Sequence, residues 1–286
     1  MMERVLSVGH SPDADDAFMF YALTHDKIDT GSYRFEHKLL GIDVLNQCCM
    51  RDELDVSAVS VHACAYLTDR YAVMPVGASM GKGYGPILVS QSPLVPADLQ
   101  GGIVGVPGTL TTAFLLMQLW LQRQGSTDSA SFLHRELPFD EIMEAVRRGD
   151  VAAGLLIHEG QLTYKDFGLH QIVDLGDWWL KETGLPTPLG MNVIRKDLGA
   201  EVITDVCRLL RESVDYALEN REEALAYALE YSRGLDPERA DQFVGMYVND
   251  YTREIGEEGR AAIDALLTRA HVGGVLESQA ILDWAE

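Results

Sequence analysis

The sequence predicts an α/β protein of two lobes with a helical C-terminal segment, on three observations. Short apolar runs alternate with amphipathic stretches through the first two-thirds of the 286 residues. Two Pro-containing connections, Gln91–Ala97 and Thr183–Leu189, bracket a block with strands and helices of its own. The last third keeps a helical period. Residues 93–188 are therefore read as an inserted second lobe, with 1–92 and 189–286 forming the first lobe and carrying the C-terminal helices. The chain crosses back near Met191–Arg195. Two crossings make a hinge, and a ligand cleft between lobes is the usual consequence.

Each element has its own signal. Val5–Val8 reads as a short strand, and Ser11 opens a helix running to Leu23, with Ser11 as N-cap and Pro12 at its first position. Tyr33–Leu39 reads as a strand, Asp43 to about Arg51 as a helix, Val56–Val59 as a strand and Val61–Leu67 as its helical continuation. Ala72–Val76 and Ile87–Val89 are strands around a glycine-rich loop. In the middle block, Ile103–Val106 is a strand and Thr111 to about Gln122 a helix. Ser131–Leu137 is extended, and Phe139, Ile142, Met143 and Val146 recur at helical spacing, which gives a helix over Phe139–Arg148. Ala152–Ile157 and Ile172–Leu175 are strands. This order predicts mostly parallel sheets. Ile203, Val206, Leu210, Val214 and Leu218 form one apolar stripe. Asn220 with Glu223 looks like a capping box, Asp236-Pro237 starts a third helix, and Ile263, Leu266 and Leu267 mark a fourth.

Composition narrows the function. With 47% hydrophobic and 23% charged residues the chain is ordinary globular material. A formal charge of −21 repels phosphate backbones and anionic lipid, so neither nucleic acid nor a membrane surface is expected as a partner. No apolar run approaches the roughly 18 residues of a membrane span. Cys48, Cys49, Cys64 and Cys207 offer no Cys-x-x-Cys spacing, so they read as buried, reduced thiols. With no apolar leader at residues 1–9, the chain is expected in the cytoplasm.

Four segments carry polar groups where chemistry is possible. His10-Ser11-Pro12-Asp13-Ala14-Asp15-Asp16 sets an imidazole and three carboxylates at a strand end. A hard-metal site is one reading; helix capping at the edge of the cleft is preferred. Gly77-Ala78-Ser79-Met80-Gly81 matches a nucleophile elbow, but Lys82-Gly83-Tyr84-Gly85-Pro86 cannot start the helix an elbow needs. Nor is it a P-loop, because Gly83 follows Gly-Lys; a flexible loop rich in backbone N–H groups is the expectation. At Gly105–Thr112 a strand gives way to a helix. The free N–H groups of such a start suit a carboxylate, and the hydroxyls of Thr111 and Thr112 add donors. His158-Glu159-Gly160-Gln161-Leu162 follows an apolar strand. Leu162 defeats the His-Glu-x-x-His metal pattern, leaving a histidine at the C-terminal end of a buried strand, where open sheets place ligands. An imidazole with its ordinary pKa near 6.5 is a neutral base at physiological pH. Trp178-Trp179 and the Tyr247/Tyr251 pair read as packing.

Two of these segments resemble a known family. His10 through Leu23 is similar to the N-terminal signature of the 1,4-dihydroxy-6-naphthoate synthases, and Gly154 through Tyr164 to their second signature. Gly105–Thr112, Val173–Trp179 and Thr183–Pro186 match in the expected order. The resemblance implies a fold like that of periplasmic solute-binding proteins, adapted to catalysis. It implies a lyase of the futalosine route to menaquinone, which converts cyclic dehypoxanthine futalosine to 1,4-dihydroxy-6-naphthoate with release of dihydroxyacetone. The partner so implied is a small aromatic carboxylate substrate, and no metal or organic cofactor is implied. The family's proton acceptor falls on His158. Its substrate contacts fall on Asn46, on Ala58, Val59 and Ser60, and on Thr111 and Thr112, with His62 a possible extra polar group. Two rivals share the fold: the chorismate dehydratases, which lack the segment containing His158, and a binding protein that captures a carboxylate without chemistry.

Overall fold

A computed structural model describes residues 3–125 and 132–285. The chain forms two compact units, Met1–Met80 with Gly190–Arg260 and Ala280–Glu286, and Gly81–Leu189 with Ala261–Gln279. In chain order the first unit begins with β1 (Arg4–His10), α1 (Ala14–Thr24), β2 (Tyr33–Leu39), α2 (Ile42–Met50), β3 (Val56–Ser60), the single turn α3 (Val61–Cys64), β4 (Tyr71–Val73) and β5 (Ser79–Gly81). The second unit contains β6 (Ile87–Ser90), β7 (Ile103–Val106), α4 (Thr112–Arg123), β8 (Leu133–Glu136), α5 (Ile142–Arg148), β9 (Ala153–Leu156), α6 (Gly160–Thr163), β10 (His170–Asp174) and α7 (Leu175–Thr183). The chain then returns through β11 (Thr187–Arg195) and ends in α8 (Ala200–Glu219), α9 (Arg221–Ala228), α10 (Pro237–Tyr247), α11 (Asp250–Arg253) and α12 (Gly256–Val272).

The expected α/β class is what the chain adopts, but both sheets are mixed rather than mostly parallel. In the first unit the strand order is β2-β1-β3-β11-β4, with β5 paired to β11. β1 runs parallel to β2 and β3, whereas β11 is antiparallel to β3 and β4. In the second unit the order is β10-β6-β9-β7-β8. β7 is parallel to β8 and β9, whereas β6 is antiparallel to β9 and β10. The parallel strands are mostly joined through helices; β6 and β11, which run against their neighbours, are the strands on which the chain enters the second unit and returns to the first.

The first crossing falls at residues 80/81, earlier than the 92/93 expected from Pro93. β6 decides this, because it lies hydrogen-bonded between β9 and β10 in the second sheet. The second crossing, at 189/190, lies one residue from expectation. Residues 261–279, assigned from sequence to the first lobe with the other C-terminal helices, pack in the second unit.

Other local readings also shift. α1 begins at Ala14 with Asp13 as N-cap residue, so Ser11 and Pro12 precede the helix instead of capping it. Phe139 lies in a 3-10 turn, Phe139–Glu141, and only Ile142, Ala145 and Val146 of α5 enter the core beneath the second sheet. The expected strand Ser131–Leu137 is observed as Leu133–Glu136; Ser131 lies outside the described residues. Asn220 turns its amide back to the Tyr216 carbonyl (2.9 Å) and makes no capping box. Asp236 caps α10 as expected, accepting from the Arg239 N–H at 2.9 Å. All four cysteines are buried and none forms a disulfide. Trp179 is fully buried, with its indole N–H on the Pro186 carbonyl at 3.0 Å, which is a packing role. Among the described residues no helix is long and apolar enough to cross a membrane.

Candidate active site

In the second unit the topology brings two of the predicted segments to one sheet edge. β7 and β9 run parallel with Gly105 opposite Gly154, so both strands deliver their C-terminal ends to the same side. After β7 the chain turns through 107–111 into α4; after β9 it turns at His158. Open α/β sheets present their ligand sites at this edge.

His158 is half-buried, and its ring stands edge-on to Phe139 with centroids 4.7 Å apart. Its backbone φ is +54°, in the left-handed region that non-glycine residues enter only when their surroundings compel it. The carbonyl of His158 accepts from the Gln161 N–H (3.1 Å), which closes the turn into α6. Glu159 is buried. Phe139 was missed as a member of this site because its sequence position fits the apolar stripe of α5 equally well.

Thr111 is the N-cap of α4. Its hydroxyl donates to the Gly108 carbonyl (2.7 Å) and accepts from the Phe114 N–H (3.2 Å). The Thr112 hydroxyl donates to the Leu189 carbonyl. Each hydroxyl has one proton, and here both protons are directed at backbone oxygens. An anion at this turn is served instead by the backbone N–H groups and the positive end of the helix dipole.

The glycine loop borders the same edge, since Ile87 of β6 pairs with Leu156 of β9. It packs tightly, contrary to the flexible loop expected. A Cβ on Gly176 would fall 2.0 Å from the Tyr84 carbonyl, and one on Gly85 would fall 3.0 Å from the Gly176 backbone. Only two bare backbones fit here. Asp174 fixes the other partner by capping α7 through the N–H groups of Gly176 (2.8 Å) and Asp177 (3.0 Å).

The first unit gathers Asn46, Ala58, Val59 and Ser60 at the C-terminal end of β3. Alternation puts Ala58 and Ser60 on one face, and there Ala58 packs with Leu45 and Cys48 of α2. Asn46 of α2 is wholly buried and spends its amide on Ser60: Oδ1 accepts from the Ser60 N–H (2.9 Å), and Nδ2 donates to the Ser60 hydroxyl (3.1 Å). With its oxygen accepting from Asn46, the Ser60 hydroxyl keeps its own proton to donate. Asn46 thus orients Ser60. Val59 is fully buried, facing away from that pair. His62, in the turn after β3, is also buried, 5.8 Å from the Tyr66 ring.

The turn after β1 lies at the same edge, because β1 and β3 are parallel with Gly9 opposite Ser57. Its carboxylates are held internally. The Ser11 hydroxyl donates to Asp13, and the Ser11 N–H donates to Asp16 at 2.6 Å. Asp13 also pairs with Arg233. Burial, with the Asp13 charge adding to it, pushes the Asp16 carboxyl well above the usual carboxylate range. His10 is fully buried, stacked on Phe20 at 4.5 Å, with Nε2 3.1 Å from Nδ1 of His37. Burial, then the neighbouring His37, pulls His10 down to about 3; burial alone pulls His37 down to about 4. Asp13 is committed to Arg233 and the Ser11 hydroxyl, and Asp16 to the Ser11 N–H. Among the described residues no three His, Cys, Asp or Glu side chains are placed to share a metal ion.

A family model described as menaquinone biosynthesis matches residues 6–272. Curated 1,4-dihydroxy-6-naphthoate synthases from Streptomyces coelicolor and Thermus thermophilus are 39% and 38% identical to the chain. The first match covers 96% of both chains, the second 95% of this chain and 96% of the relative. Among solved structures, a protein from Archaeoglobus fulgidus is 47% identical with a TM-score of 0.89, over 95% of this chain and 98% of that one. The alkanesulfonate-binding protein of Xanthomonas axonopodis shares the fold, with a TM-score of 0.73 at 12% identity over 99% and 97%. The periplasmic-binding-protein-like fold expected from the resemblance is therefore present, and the chain, similar to these synthases over nearly its whole length, belongs to the menaquinone-biosynthesis family.

Proposed function

We propose that this protein is a 1,4-dihydroxy-6-naphthoate synthase, a lyase acting on cyclic dehypoxanthine futalosine and releasing dihydroxyacetone. The observation that carries this reading is the end-to-end similarity to two synthases of that name, 39% and 38% identical. His158 is the proton acceptor that starts the elimination. Its position at the strand edge and its constrained backbone support the role, since a base must be held in one place to act. The substrate is an aromatic carboxylate. The N–H groups at the start of α4, shaped by Thr111 and Thr112, receive its anionic group. Ser60, oriented by Asn46 and flanked by Ala58 and Val59, donates to a ring oxygen. Donors fixed in advance need no reorganisation as charge develops, which is how such groups lower a barrier. Four buried cysteines without a disulfide fit a reducing, cytoplasmic setting.

The test is to incubate the purified protein with cyclic dehypoxanthine futalosine and follow products by mass. Naphthoate and dihydroxyacetone in equal amounts are expected. Saturable binding without any product would instead favour a carboxylate-binding protein, the role typical of the wider fold.

A further inference from the structure

Among the described residues four non-glycine residues have left-handed backbones: Asp26, Asp52, His158 and Arg233. Aspartate enters that region readily, through its short polar side chain. Arginine has no such aid and pays roughly 1–2 kcal/mol, so its neighbours must compensate. At Arg233 the compensating contacts are visible. Its guanidinium pairs through Nη1 with the wholly buried Asp13 and donates through Nη2 to the Pro12 carbonyl at 3.1 Å. Asp13 in turn accepts from the Ser11 hydroxyl, and Asp16 accepts from the Ser11 N–H. One side chain from the loop before α10, more than two hundred residues away in sequence, thus closes around the whole turn between β1 and α1.

That turn lies at the ligand-binding edge of the first unit. With Gly9 opposite Ser57 in parallel strands, Ser11 and Pro12 leave the sheet abreast of Val59 and Ser60. We propose that Arg233 is a positioning residue for the reaction, holding the turn between β1 and α1 in the shape against which substrate binds beside Ser60. The proposal rests on the substrate-binding role given to Ser60 above. A guanidinium suits the task, because its rigid fork serves a carboxylate and a carbonyl together, which a lysine ammonium does less well. Such a residue touches ground state and transition state alike through the wall it supports. Its loss therefore appears in KM rather than in kcat.

The experiment compares Arg233→Gln and Arg233→Lys with the unaltered enzyme by steady-state kinetics, with melting curves recorded alongside. In Arg233→Gln, KM is expected to rise about tenfold with kcat within about threefold, and Arg233→Lys is expected to recover part of the loss. Removing one partner of a buried ion pair can unfold a protein. If Arg233→Gln does not fold, Arg233→Gln/Asp13→Asn, which leaves no unpaired charge, takes its place with the same expectation. A lowered melting temperature with KM within twofold of normal, in any of the folded variants, would show a purely structural contact and overturn the proposal. A fall in kcat at constant KM would overturn it too. Failure of the unaltered protein to make naphthoate would instead count against the functional reading on which the proposal rests.

Discussion

Buried ionisable side chains set how the first unit responds to acid. His10 and His37 have native pKa values of about 3 and 4, below the ordinary 6.5, so the unfolded chain takes up their protons first as pH falls. The stability they contribute is full above pH 6.5 and is lost as pH falls toward their native values. Asp16 is displaced the other way, so its contribution is full below the ordinary aspartate value and is lost as pH rises through its raised one. Between pH 4 and 6.5 two histidines oppose one carboxylate, and the net slope for the three is up to about 1.4 kcal/mol per pH unit, destabilising toward acid. Urea titrations at pH 5 and 7 are expected to show His37→Gln with a smaller acid loss than the unaltered protein and Asp16→Asn with a larger one. Identical losses in all three would contradict the argument. Part of this was legible in sequence: the acidic turn and its place at a strand end are local properties of residues 10–16, whereas the expected Ser11 cap is not formed. The partners of that turn were not legible. Nothing in the sequence links Arg233 to Asp13 or His37 to His10, because those contacts are made by the fold. Asn46 and Ser60 were both named, but as two separate contacts for a ligand; only their geometry shows one orienting the other.

Among the elements, the clearest constraint is the backbone approach between the glycine loop and the start of α7. Overpacking a tight site costs typically 1–3 kcal/mol, and at Gly176 the obstruction is backbone, which cannot swing aside. Gly176→Ala is expected to cost about 3 kcal/mol, seen as a melting temperature lower by roughly 5–10 °C. Gly168→Ala is the useful comparison, since there the added methyl meets nothing within 4 Å and only the left-handed φ of +71° is paid for. If the two variants melt together, the close approach is not a determinant of stability. Elements with strong periodicity or clear caps were legible: β2 and β7 have the expected bounds, and Asp236-Pro237 opens α10. β11 overlaps the expected connection Thr183–Leu189, where Pro186 and Pro188 mask its start. In fact Pro188 precedes the stretch that pairs with β3, which starts at Gly190, so it interrupts nothing there. α7 is hidden in the sequence although Asp174 and Gly184 mark its two ends, because the strand signal of Ile172–Leu175 runs into its first residue. Strand direction is not written in local pattern at all, which is why the antiparallel members of both sheets came as corrections.

For the whole molecule, charge is the dominant electrostatic fact. A formal charge of −21, with only six lysines in the chain, makes the compact state repel itself. Exposed pairs such as Arg208–Glu212 and Arg147–Glu144 oppose this, but each is worth at most about 1 kcal/mol and salt weakens them as well. The surplus of like charge should win. Raising sodium chloride from about 0.05 M to about 1 M is expected to raise the melting temperature by several degrees, because the Debye length shortens from beyond 10 Å to about 3 Å. A falling melting temperature would mean that the ion pairs dominate. At this scale the sequence was most informative: the α/β class, the two-part organisation and the family were all legible, since composition, alternation and long motifs survive without coordinates. The proposed function turns on the imidazole of His158, just beyond the end of β9. His158→Ala should bind cyclic dehypoxanthine futalosine with an affinity within about threefold of the unaltered enzyme, by calorimetry, while its turnover falls by about 10²–10⁴. Undiminished turnover in that variant would remove His158 from the chemistry, and the proposed mechanism with it.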